Sequence, residues 1–114
     1  MKLINKKNEK ILADNLEIAN GYFSRMRGLL GRKSLEKGKG MYINSCNSIH
    51  SFFMKFKFDA VFINKKNEVI YLIEHMPAWR VSKICFSACS VIELPSGVIK
   101  DTQTNIGDLL EFSD

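Results

Sequence analysis

No stretch of this chain approaches the ~20 consecutive apolar residues that a membrane-spanning helix needs, and residues 1–15, MKLINKKNEKILADN, hold no apolar core of signal-peptide length. No linker, internal repeat or low-complexity segment interrupts the sequence. The three cysteines, Cys46, Cys85 and Cys89, are an odd set and so a poor basis for a disulfide framework. Free thiols agree with a reducing compartment, and a cytoplasmic location is expected. The expected assembly is one domain over residues 1–114, a length sufficient for a core without staples.

The formal charge is +5, carried mostly by lysines. They are scattered: Lys6 with Lys7, Arg32 with Lys33, Lys37, Lys39, and Lys65 with Lys66. A nucleic-acid surface is signalled by clustered charge, which the sequence does not display, so a nucleic-acid partner is not expected. No membrane partner is expected either.

Residues 40–63, GMYINSCNSIHSFFMKFKFDAVFI, break local rules most heavily. A dense aromatic run normally builds a core strand, yet this one carries a Cys, Asn and His residues, an Asp and two Lys. Buried polar groups must find partners or cost free energy, so such a mixture points to a site.

Short apolar runs separated by turn residues dominate the remainder. Residues 1–4 and 11–13 read as a hairpin around Asn5-Lys6-Lys7-Asn8, with 16–19 extending the pairing. Residues 22–30 change period: Tyr22, Phe23, Met26, Leu29 and Leu30 share a helical face, and Gly31 ends it. Strands are expected at 41–43, at 52–58 (apolar at even positions, with Lys55 and Lys57 between), at 60–63, 69–73, 91–94 and 109–112. The fold class is therefore mainly β: a small antiparallel sandwich or jelly-roll-like, partly open barrel, with one short helix near residues 22–30.

Several motifs occur in a fixed order: Arg25-Met26-Arg27-Gly28-Leu29, Gly40-Met41, Cys46-Asn47-Ser48-Ile49-His50 followed by Phe53-Met54, Asp59 with Val61-Phe62-Ile63, Glu93-Leu94-Pro95 with Gly97, and Gly107-Asp108. Together they resemble the family called domain of unknown function one hundred and ninety-two, from about Ala13 to Phe112. The resemblance implies a compact β fold of sandwich or jelly-roll character and no established activity. Lys57 stands where the family usually has proline, which adds a positive charge before Asp59 and frees the backbone there.

Candidate site residues are His50, Asp59, Trp79 and Arg80. Asp59 sits in a core-like run, where a carboxylate needs hydrogen bonds or a cation such as Arg25, Arg27 or Arg80; the alternative is a structural cap. His50 can contact a ligand or titrate near neutral pH, or simply be a satisfied rim histidine. Trp79 and Arg80 form an aromatic–guanidinium pair of the kind used in recognition, or Trp79 closes an open end of the sandwich. Cys46, His50, Cys85 and Cys89 could compose a Cys3His zinc set, but their spacing differs from that of zinc ribbons, and neither a metal nor another cofactor is expected. The leading expectation is a domain that binds a small polar ligand, with carbohydrate-like character resting only on analogy with other sandwiches. The alternatives are a small enzyme using His50 and Asp59 as an acid–base pair or Cys46 as nucleophile, and a protein-interaction accessory. Oligomeric state is not legible in the sequence.

Overall fold

A computed structural model describes residues 1–19 and 33–114. Among the described residues the strands are β1 (Lys2–Asn5), β2 (Lys10–Ala13), β3 (Asn15–Ala19), β4 (Lys39–Asn44), β5 (Phe58–Ile63), β6 (Val69–Met76), β7 (Ser90–Pro95) and β8 (Leu110–Ser113), with one short helix, α1 (Val98–Asp101). They form two sheets, ordered β2-β1-β8 and β3-β4-β7-β5-β6. Neither sheet closes into a barrel, and the fold is sandwich-like. The helix expected at 22–30 lies outside the described residues, as do Arg25 and Arg27. Among the described residues no helix is long and apolar enough to cross a membrane.

The first hairpin forms where the Asn residues permit it. Asn5 Oδ1 accepts from the Lys7 N–H at 3.0 Å, and Asn8 Oδ1 from the Lys10 N–H at 3.0 Å. These side chains satisfy turn amides that the ladder cannot reach. The second hairpin, β5–β6, uses the same device: Asn64 Oδ1 accepts from Lys66 and Glu68 at 2.9 and 3.0 Å.

Residues 16–19 do not extend the first hairpin. They belong to β3, which pairs parallel to β4 in the larger sheet, Leu16 opposite Gly40 and Ala19 opposite Ile43. A parallel neighbour requires a long crossover, and the intervening chain from 20 to 38 supplies one. The sandwich is thus mixed rather than purely antiparallel.

Side-chain alternation along β5 sorts the core into two layers. Val61 and Ile63 face the small sheet and pack with Leu3, Leu12, Ile92, Leu94, Ile99 and Leu110. Phe58, Ala60 and Phe62 face the other way, into a layer with Met41, Ile43, Val91, Met54 and Cys85. No strand covers that second layer among the described residues; the loops 45–57 and 77–89 contribute Ile49, Met54, Cys85 and Ala88 to it. The expected strand at 52–58 is therefore corrected: only Phe58 is in β5, and the preceding residues are turn and irregular chain. The alternation in burial is real, since Met54 and Phe58 are buried while Lys55 and Lys57 are exposed. What is missing is a partner strand.

Candidate functional site

Asp59 and the other three candidates lie on opposite faces of the larger sheet. Asp59 shares the parity of Val61 and is fully buried on the small-sheet side. Its Oδ1 accepts from the His75 N–H at 2.8 Å, and its Oδ2 from the N–H groups of Gly97 and Ile99 at 3.1 and 2.9 Å. Gly97 is the N-cap of α1 and has no side chain to satisfy the first turn. Asp59 therefore supplies the cap from a different element. His75, at φ 52°, sits where the β5–β6 register shifts, so its N–H leaves the ladder and turns to the carboxylate. Nearby, His75 Nδ1 and Ser96 Oγ share a hydrogen bond. Asp59 is thus a clamp joining β5, β6 and α1.

His50, Trp79 and Arg80 are brought together on the loop-covered face. His50 and Val81 form an isolated antiparallel bridge between the two loops. Ser51 is the tie. Its side chain is fully buried, and its Oγ donates to the Pro77 carbonyl at 2.6 Å and accepts from the Arg80 N–H at 2.9 Å. Its N–H donates to the Arg80 carbonyl at 2.8 Å, and its carbonyl accepts from the Trp79 N–H at 3.0 Å. Ser82 adds a second tie, its Oγ accepting from the Ile49 N–H at 2.9 Å.

The rings above these ties form a connected row. His50 stacks on Phe52 at 4.9 Å, Phe52 tilts against Trp79 at 5.7 Å, and Phe53 meets Trp79 edge-on at 4.6 Å between centroids. Phe53 and Trp79 are 69% and 56% exposed, so the row is a surface feature rather than core. Both residues hold left-handed backbone, at φ 64°. Bulky side chains rarely adopt it, and such strain costs on the order of 1–3 kcal/mol per residue. Here two touching, exposed aromatics carry that strain.

The polar groups beside the row are fixed as well. His50 Nδ1 accepts from the Phe52 N–H at 3.3 Å, which leaves Nε2–H of the neutral ring as an outward donor. Arg80 is exposed, and only its Nη1 is engaged, by the carbonyls of Ala78 and Trp79 at 3.5 and 3.4 Å. Its Nε and Nη2 have no partner among the described residues.

The cysteines do not assemble a metal centre: among the described residues no three metal-ligating side chains lie together. Cys46 Sγ donates to the Ser48 carbonyl at 3.1 Å. Burial pushes the Cys85 thiol up from its ordinary pKa, and Lys83 offsets this only in part.

Ser51 was not legible as the tie, because a single serine among aromatics has no pattern. Phe53 did leave a trace. It stands at an odd position of a run whose apolar residues are otherwise even, so it never fitted the strand. Glu93 was named only within a motif; it is buried on the loop-covered side of β7, and its Oε1 has no partner among the described residues.

Replacing Ser51 by Ala is expected to leave the Arg80 N–H and the Pro77 carbonyl without their partner. The cost should be about 1–3 kcal/mol in a urea melt, together with red-shifted Trp79 emission as the loops part. An unchanged melt and spectrum would show that the loops are held elsewhere.

Comparison with known proteins agrees with this architecture. The chain is 32% identical to a UPF0127 protein of Thermococcus sibiricus, over 96% of this chain and 73% of that one. It is 28% identical to a UPF0127 protein of Pyrococcus furiosus, over 97% of both. A crystal structure of a protein of unknown function from Novosphingobium aromaticivorans superposes with a TM-score of 0.83 at 14% identity, covering 97% of this chain and 82% of that one. A putative transcription regulator from Sinorhizobium meliloti gives 0.76 at 23% identity, covering 96% and 89%; both likenesses concern the fold alone. A family model described as "Uncharacterized ACR", domain of unknown function one hundred and ninety-two, matches residues 3–112, and the chain belongs to that family.

Proposed function

We propose that this protein is a small-ligand-binding β domain whose site is the loop-borne row of His50, Phe52, Phe53 and Trp79 with Arg80 beside it. The observation that carries the reading is the pair Phe53 and Trp79, exposed, in contact, and both at positive φ. A preorganised aromatic surface with a few oriented donors is what a ligand with a flat face and polar edges requires. Asp59, named with these residues from the sequence, is left out of the site, because its oxygens already accept three backbone N–H groups. The acid–base form of the enzyme alternative finds less support, since His50 and Asp59 stand on opposite faces of the larger sheet. The three free thiols favour a cytoplasmic setting.

One observation favours a protein-interaction role instead: Val81, Ile84 and Phe86 on the same loop are 62%, 53% and 87% exposed. Concentration-dependent dimers lost in Phe86→Ser, with no response to small molecules, would support that second reading.

Trp79 is the single tryptophan, so its emission reports the site directly. His50→Gln and Arg80→Lys are expected to stay within ~1 kcal/mol of the parent in stability and to lose the ligand response. Trp79→Gly is expected to do the same. Relief of the positive-φ strain offsets roughly 0.5–1.5 kcal/mol of lost ring packing. Unfolding of all three variants, or an unaltered ligand response in a thermal-shift screen, would overturn the assignment.

A further inference from the structure

We infer that the ligand is an anion with a planar ring, the chemistry of a nucleotide phosphate; this rests on the site proposed above and names its ligand class. In sequence the lysines look scattered, but the fold brings together two segments that hold no acidic residue. The loops 45–57 and 77–89, which together cover one face, contain four of the chain's 17 Lys and Arg residues and none of its 12 Asp and Glu. Those four are Lys55, Lys57, Arg80 and Lys83, all exposed. The rest of the chain is close to neutral, so most of the formal +5 resides on these two loops.

A surface of one sign beside aromatic rings selects against neutral sugars. A sugar needs mixed donors and acceptors, and these loops offer no carboxylate to accept its hydroxyls. A planar base, by contrast, can stack on any aromatic face, at a gain of about 1–3 kcal/mol per base. The free Nε and Nη2 edge of Arg80 has the fork geometry that grips phosphate with two parallel hydrogen bonds. The carbonyls of Ala78 and Trp79 lie 3.5 and 3.4 Å from Nη1, which places the guanidinium beside the backbone of the loop that carries the Trp79 ring. His50 Nε2–H is a further donor to the same anion. Lys83 contributes less directly, since its ammonium sits 4.4 Å over the Tyr71 ring.

The test is a titration of Trp79 emission, with thermal shift in parallel, using adenosine monophosphate, adenosine, inorganic phosphate, a neutral disaccharide and a short single-stranded oligonucleotide. The monophosphate is expected to bind at least about tenfold tighter than adenosine, the value of one charge-assisted contact. Arg80→Gln should weaken the monophosphate more than adenosine and so shrink that difference. Affinity should fall with added salt. An oligonucleotide whose affinity rises with length would assign the nucleotide to a single strand; equal affinity per site would assign a free nucleotide. Equal binding of adenosine and its monophosphate, or binding of the disaccharide alone, would overturn the inference and leave the ligand-binding site standing. Silence in every arm, in both readouts, would remove both.

Discussion

Asp59→Ala is expected to cost most of the stability of this domain, and Asp59→Asn only somewhat less. Alanine would leave the N–H groups of His75, Gly97 and Ile99 without an acceptor in a site closed to water. Each orphaned buried donor costs about 1–3 kcal/mol, against a total of roughly 5–15 kcal/mol for a domain. Asparagine keeps one acceptor but turns an NH2 group toward a backbone N–H, so a donor faces a donor. Its expected cost is on the order of 2–4 kcal/mol. Urea melts measure both. A general acid or base would behave differently: Asp59→Asn would fold within ~1 kcal/mol of the parent and lose only activity, and that outcome would contradict the clamp.

Glu93→Gln is expected to change stability with opposite consequences at low and high pH. Glu93 lies in β7 between Met41 and Ala60, and burial raises its pKa from 4.5 to about 7. Below about pH 4 the carboxyl is protonated in folded and unfolded chains alike and adds no charge penalty. From there to about pH 7 the unfolded chain ionises first, so stability falls as pH rises. Above that the penalty is constant, on the order of 3 kcal/mol. Glutamine removes the titration. The variant should match or fall below the parent at about pH 4 and exceed it by roughly 2–3 kcal/mol at about pH 8. Urea midpoints at both pH values decide it, and a difference that does not vary with pH would show that Glu93 is not held neutral by burial.

The legible part of the fold was the part set by local chemistry. Asn5, Asn8 and Asn64 announced their turns because their side chains cap amides within a few residues. The apolar runs at 60–63 and 91–94 became β5 and β7 because central strands need apolar residues on both faces, and the run at 69–73 became the edge strand β6 beside them. Long-range choices were not legible. Nothing in residues 16–19 says that they leave the first hairpin to lie parallel to β4, since pairing partner depends on the crossover and not on the strand. The alternation at 52–58 marked one buried side correctly, but periodicity cannot tell a loop laid on a sheet from a strand within it. The candidate residues fared according to the same divide. His50 and Trp79 are close to the bridge that joins their loops, whereas Asp59 was named as a carboxylate within a core-like run, and the side it faces depends on strand parity.

Amide chemical-shift mapping of the 15N-labelled protein against a small fragment library decides whether the aromatic loops are where ligands bind. Binding fragments are expected to shift residues 50–53 and 78–82 together, and Trp79→Gly is expected to abolish those shifts in a protein that remains folded. Fragments that instead shift the opposite side, in the cleft between β2 and α1 formed by Leu12, Asp14, Ser96 and Asp101, with the aromatic loops unaffected, would contradict that expectation.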